Sequence, residues 1–381
     1  MKKTILLLFL LVSAFAKAQV EYRELTSEKL GATRQIKVQL PRNYSANTEK
    51  NYPVIIVMDG DYLFEPVAGN VDYYSYWEEM PDAIVVGILQ GDTRDDDTFY
   101  DDVNFLPDDT GAAFFEFVGL ELMPYLDANY RTANFRIAVG HDLTANFINF
   151  YLMKDPSLFQ GYISLSPDLS PMMEERLVQR LGAVEQKVFY YLATATDDIK
   201  VLREPINALN GQLNTVSNPM VKTYFDNFDE ATHYSLVGRA IPQALEDIFS
   251  ISRPISKKEY KETILNLPGS PYDYLIEKYA VVKELFGLDE KIRVNDFIAT
   301  STALEKRSDW EGLERLGKLA RQQYPDTMLG NYYLALSMEN TGSPKKAMKT
   351  YQNGFLLEEV AFITKDLMLD KAAKIKEDFG Y

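Results

Sequence analysis

The chain has 381 residues, no Cys and only two His, and its 40 Lys and Arg stand against 56 Asp and Glu, a net charge of −16. The lack of Cys excludes disulfides, a thiolate nucleophile and Cys-ligated metal. The acidic balance disfavours nucleic acid and anionic membrane surfaces as partners. No Gly-rich phosphate loop, dinucleotide fingerprint or His-Glu-x-x-His occurs, so neither cofactor nor metal is expected.

At the N-terminus, Lys2 and Lys3 precede an apolar stretch from Thr4 to Phe15 and the triplet Ala16-Lys17-Ala18. This is the pattern of a secretory signal peptide over residues 1–18. It predicts a periplasmic or secreted protein whose net charge is −19 once Lys2, Lys3 and Lys17 are removed. No later run is long and apolar enough for membrane insertion.

Residues 20–40 read as strands, because "ATRQIKVQLP" alternates apolar and polar residues up to Pro41. "YPVIIVMDGD" (Tyr52–Asp61) is continuously apolar from Val54 to Met58, as in a strand buried on both faces of a parallel sheet. "AIVVGILQG" (83–91), "FRIAVGH" (135–141), "GYISLSP" (161–167) and "KVFYYLATA" (187–195) repeat the pattern. Helical spacing occupies Ala112–Asn129 and Thr144–Met153. Alternating strand and helix predict an α/β class with a mostly parallel sheet over residues 19–254. From 255 to 381 the texture is all-helical. "GNYYLALSMENTGSPKKAMKTYQNGF" sets Gly342, Ala347 and Tyr351 at the spacings of a tetratricopeptide-like helix pair.

The chemistry concentrates at "VGHDLTA", Val139–Ala145. A strand followed by Gly-His-x and then a helix fits a nucleophile elbow, which lifts one side chain above the carboxyl edge of a sheet. Here that side chain is Asp142. His141 lies inside the elbow, which leaves His233 as the candidate general base. Asp197 and Asp198 stand just past a strand end, and Asp198, about 35 residues before His233, is the preferred acid that completes the order nucleophile, acid, base.

These residues carry a resemblance to the esterase D-like and enterochelin esterase-like α/β-hydrolases. It lies in "YPVIIVMDGDYLF", "AIVVGILQGDTRDDD", "FFEFVGLELMPYLDANYRTANFRIAVGHDLTANF" and "DPSLFQGYISLSPDLS", and covers about residues 20–250. The resemblance implies an α/β-hydrolase fold and a triad acting on carboxylic esters. Its oxyanion hole would use the amide of Leu143 and one near Gly60 and Asp61. Asp142 stands where relatives have Ser, and Thr144 and Ala145 where they have Gly. A β-branched Thr144 is expected to displace the helix and the Leu143 amide.

Three readings of Asp142 stay open. In a pseudoenzyme, the fold binds a small ester-like ligand or an envelope protein without hydrolysing esters. In an Asp-nucleophile hydrolase of the epoxide or haloalkane type, Asp142 attacks saturated carbon, His233 and Asp198 activate water, and Tyr73, Tyr74, Tyr76 and Trp77 supply lid donors. In an unusual esterase, His233 activates water or Thr144. The loop Gly91–Gly111, with eight Asp, reads as a solvated acidic rim rather than a Ca²⁺ site.

Overall fold

The computed structural model describes residues 20–381. The expected signal peptide, residues 1–18, lies outside them. The chain divides into two compact units: one running to Ser250 together with Leu285–Leu288, the other comprising Ile251–Glu284 and Asp289–Tyr381.

The first unit is built on an eight-stranded sheet: β1 (Val20–Ser27), β2 (Ala32–Gln39), β3 (Tyr52–Val57), β4 (Ile84–Ile88), β5 (Thr132–His141), β6 (Gly161–Leu165), β7 (Val188–Asp197) and β8 (Val221–Thr232). Their spatial order is β1-β2-β4-β3-β5-β6-β7-β8. β1 and β2 pair antiparallel and β2 joins β4 antiparallel; every pairing from β4 to β8 is parallel. All residues of β3, β4 and β6 are buried, as expected for strands covered by helices on both faces.

The two faces alternate along each strand. Val54, Ile56, Ile84, Val86, Tyr190 and Leu192 point into one core. Onto it pack α3 (Asp109–Glu116), α4 (Met123–Asn129), α6 (Asn149–Leu152), α7 (Met173–Ala183) and α8 (Lys200–Leu213), through Phe114, Leu126, Tyr151, Leu177 and Ile206. The other face receives α1 (Phe64–Tyr76), which packs against α9 (Val237–Ile248). The helical stretch Ala112–Asn129 is one rod in which a π-type turn, Phe117–Leu122, joins α3 to α4. α2 (Arg94–Asp97) and α5 (Leu143–Phe147) are short helices on the carboxyl side of β4 and β5.

β8 has no counterpart among the predicted strands. "VKTYFDNFDEAT" mixes polar residues with apolar ones and stays partly exposed, as an edge strand does. Its register on β7 is decided by pairing rather than by its own periodicity.

The second unit is all-helical: α10 (Lys257–Glu262), α11 (Pro271–Phe286), α12 (Val294–Lys306), α13 (Trp310–Gln323), α14 (Leu329–Asn340), α15 (Pro344–Gly354) and α16 (Lys365–Phe379). Each of the last four packs on its neighbour in sequence, around a core that includes Leu316, Tyr333, Ala347, Tyr351 and Met368. Gly342, with φ +78°, makes the turn between α14 and α15. No helix among the described residues is long and apolar enough to cross a membrane.

Candidate functional site

β5 ends at His141, and the chain turns at Asp142 into α5. Asp142 has φ 60° and ψ −119°, a left-handed backbone that costs a non-glycine residue roughly 1–3 kcal/mol. The turn is held by the Asp142 amide donating to the Leu165 carbonyl at 3.0 Å, and by its own carbonyl accepting from Asn146 and Asp168. Gly140 is required there, because a Cβ would lie 2.5 Å from the Thr144 carbonyl oxygen. The turn from β5 into α5 at Asp142 is therefore tight and held from several sides.

Thr144 does not disturb it. Its side chain is fully buried, and its hydroxyl donates to Asp59 Oδ2 at 2.7 Å while accepting from the His141 amide at 3.0 Å. The expected displacement fails because the hydroxyl has partners built for it. Asp59, 2% exposed and also at positive φ, lies at the centre of this layer. Tyr62 Oη lies 3.0 Å from Asp59 Oδ2 and 3.1 Å from His141 Nδ1.

Arg94 completes it. Its Nε donates to Asp59 Oδ1 at 2.6 Å, Nη2 to the His141 carbonyl at 3.0 Å, and Nη1 approaches Asp142 Oδ2 at 3.4 Å. Burial works against the guanidinium charge, but the hydrogen bond and charge of Asp59 outweigh it and raise Arg94 above its ordinary value. The loop carrying Arg94 is clamped from below. Arg34 makes a bidentate pair with buried Asp97 at 2.6 and 2.7 Å, and Gln90 links Asp97 to the Asp59 amide.

Asp198 and His233 lie side by side. His233 Nδ1 lies 3.0 Å from Asp198 Oδ1, and both side chains are buried. Asp198 follows β7, and His233 sits in the turn between β8 and α9. Asp198 also accepts from Thr194, Ser166 and the Ile199 amide. Burial alone would raise its carboxyl; the hydrogen bond from His233 and these others overcome that and hold it down to about 2. The His141 ring lies 4.4 Å from the His233 ring, and its Nε2 donates to the His233 carbonyl. Burial, and then His233, lower its basicity. The side-chain hydrogen-bond partner of Asp142 is Arg94, not His233.

For the amide donors the structure corrects one expectation. The Gly60 amide donates to the Ile88 carbonyl at 2.7 Å, so it is spent, and a Cβ at Gly60 would also strike that oxygen. The Asp61 amide has no acceptor among the described residues, nor does that of Leu143, the first residue of α5. The Asp61 carboxylate instead caps the Gln90 and Gly91 amides.

The tyrosines expected as lid donors are elsewhere. Tyr73, Tyr74 and Tyr76 occupy the last turn of α1, with Trp77 just beyond. α1 starts above the carboxyl edge, and a helix rises about 1.5 Å per residue, so its last turn is carried more than a dozen ångström away along the helix. There Tyr74 donates to Glu246, and the rings of Tyr73, Tyr76 and Trp77 are exposed.

Arg94, Asp59, Tyr62 and Ser166 were not among the expected site residues. Arg94 had a signal: it is the only basic residue in the acidic loop 91–111. A lone cation among eight carboxylates is one that must be paired. Among the described residues no group of three or more His, Asp or Glu side chains is placed to hold a metal ion.

Residues 27–243 match the model of a family described as "Putative esterase". An uncharacterised protein from Capnocytophaga ochracea is 30% identical, covering 94% of this chain and 100% of its own, with a TM-score of 0.85. An IroE-like serine hydrolase from Shewanella oneidensis is 20% identical over 80% of this chain and 99% of its own, with a TM-score of 0.61. The enterobactin esterase FES from Shigella flexneri, solved in the presence of enterobactin, is 16% identical over 61% of this chain and 59% of its own, with a TM-score of 0.50. No curated protein matches.

Proposed function

The chain belongs to this esterase family of α/β-hydrolases, and on that premise we propose that it is a disarmed carboxylic-ester hydrolase, one that binds a small ester-like ligand without forming an acyl-enzyme. One observation carries the reading: a formed elbow presents Asp142 paired to Arg94, beside an assembled Asp198–His233 pair.

The chemistry follows from what a serine does in this position. A serine hydroxyl passes its proton to the histidine as it attacks, so no net charge builds on the nucleophile. A carboxylate in that position has no proton to pass. Its attack on an ester would give a mixed anhydride, and its charge would stand beside the forming oxyanion. Pairing with Arg94 lowers its nucleophilicity further. The unspent amides of Leu143 and Asp61 would still bind a ligand carbonyl oxygen.

The Asp-nucleophile alternative loses support with its lid donors. We also infer that residues 1–18 direct export and that α13–α16 form tetratricopeptide-like pairs. The buried Ala347 and Tyr351 and the turn at Gly342 support the second point.

The test is hydrolysis of short-chain p-nitrophenyl esters by the mature wild type, Asp142→Ser, and Asp142→Ser with His233→Ala. The expected result is no turnover in wild type and turnover in Asp142→Ser that vanishes with His233→Ala. Wild-type turnover lost on Asp142→Ser would overturn the reading.

A further inference from the structure

Ser166 follows β6 and is fully buried, yet it has φ 43°, a left-handed backbone that favours glycine. A serine retained there must be held by its surroundings. Its amide donates to the Ala193 carbonyl at 2.8 Å. Its hydroxyl donates to Asp198 Oδ2 at 2.7 Å and lies 3.0 Å from His233 Nδ1. Asp198, His233 and Ser166 thus close a three-membered ring of hydrogen bonds in which each touches the other two.

Counting hydrogens fixes the arrangement. The Ser166 hydroxyl has one hydrogen. With that hydrogen on Asp198, the oxygen can only accept from Nδ1. The other neighbour of Nδ1 is Asp198 Oδ1, which is ionised and also only accepts. Nδ1 therefore carries the imidazole hydrogen, shared between two acceptors, and Nε2 keeps the lone pair. The Ile199 amide and Thr194 hold the two Asp198 oxygens, and Ser166 alone ties one of them to the imidazole through a single atom. Thr194 also holds Asp198 Oδ2, at 2.7 Å, but makes no contact with His233.

We propose that Ser166 is a positioning residue that locks His233 in its Nδ1–H tautomer and keeps Nε2 open as a hydrogen-bond acceptor. The proposal deepens the esterase-derived reading of the site and rests on it for the use made of Nε2. An acceptor fixed in this way suits a donor that the ligand brings, a hydroxyl or a water, since Asp142 supplies none.

The experiment is ¹⁵N NMR of the imidazoles in the full mature protein at pH 8, which needs no turnover. Wild type should show His233 Nδ1 as pyrrole-type and Nε2 as pyridine-type. Ser166→Ala and Ser166→Gly should both move the two shifts toward averaged values, and Thr194→Val should leave them unchanged. Glycine relieves the left-handed backbone, so agreement between the two Ser166 variants separates the hydroxyl from backbone strain. A second readout uses Asp142→Ser as parent: adding Ser166→Ala should lower kcat about tenfold with KM unchanged. Unchanged shifts in both Ser166 variants would overturn the proposal even if Asp142→Ser turns over esters. Averaged shifts with an inert Asp142→Ser would sustain the positioning role and sink the esterase-derived reading instead.

Discussion

Arg94 holds two aspartates at once: its Nε donates to Asp59 Oδ1 at 2.6 Å, and its Nη1 stands 3.4 Å from Asp142 Oδ2. The two are unequal in kind. Asp59 is sealed, with its side chain 2% exposed, whereas that of Asp142 is 26% exposed. Asp59 anchors the guanidinium, and Asp142 receives what charge remains.

Removing Arg94 leaves the buried Asp59 charge with hydroxyl donors alone. Breaking a buried pair from one side costs about 3 kcal/mol, so Arg94→Ala should lower urea-unfolding stability by about that amount. Arg94→Lys keeps the charge but not the fork and should recover only part of it. Equal stability of Arg94→Ala and wild type would show that Asp59 does not depend on this partner.

Thr144→Val keeps the shape and deletes the hydroxyl. Asp59 Oδ2 loses a donor and the His141 amide loses its acceptor, a cost of about 1–3 kcal/mol. Thr144→Ser keeps both bonds and should lie within about 1 kcal/mol of wild type. Thermal unfolding of the pair decides the point: a loss in Thr144→Ser with none in Thr144→Val would locate the role of Thr144 in its methyl group.

Asp198 titrates lower in the folded chain, about 2, than its ordinary 3.8. A depressed carboxyl stabilises the fold above the unfolded value, and that contribution is lost as pH falls from about 5 to about 2, some 2 kcal/mol in all. Stability measured against pH should therefore drop over this range in wild type and drop less in Asp198→Asn. Parallel acid limbs in the two proteins would contradict it.

Gly140→Ala is expected to be the most damaging single methyl at the site. The added Cβ would meet the Thr144 carbonyl oxygen at 2.5 Å and the Ala145 nitrogen at 2.7 Å, both backbone. Neither can swing aside, so α5 must move, at about 3 kcal/mol. In the Asp142→Ser parent the same change should abolish ester turnover, read as kcat/KM. Full activity there would mean that the elbow tolerates a wider turn.

The class of the first unit is legible from residue patterns alone. Short apolar runs such as Val54–Met58 and Ala83–Ile88, bounded by turn residues, read as strands covered on both faces, and their alternation with helical stretches points to parallel pairing. The sequence also determined the order of Asp142, Asp198 and His233, because the fold delivers each from a strand end on one edge of the sheet. Local residues carried this information. The edge strand β8 was decided by tertiary structure: its residues alternate weakly and take their register from β7. So were the partners of Asp59, which come from residues 62, 94 and 144. The Gly60 amide is spent on the Ile88 carbonyl of a neighbouring strand, a contact made only in the folded sheet. Thr144 makes the same point, since its letter suggested a clash and its surroundings supplied hydrogen bonds. A side chain's partners across elements depend on packing that no local window contains, and at this site they set the charge on which the chemistry depends.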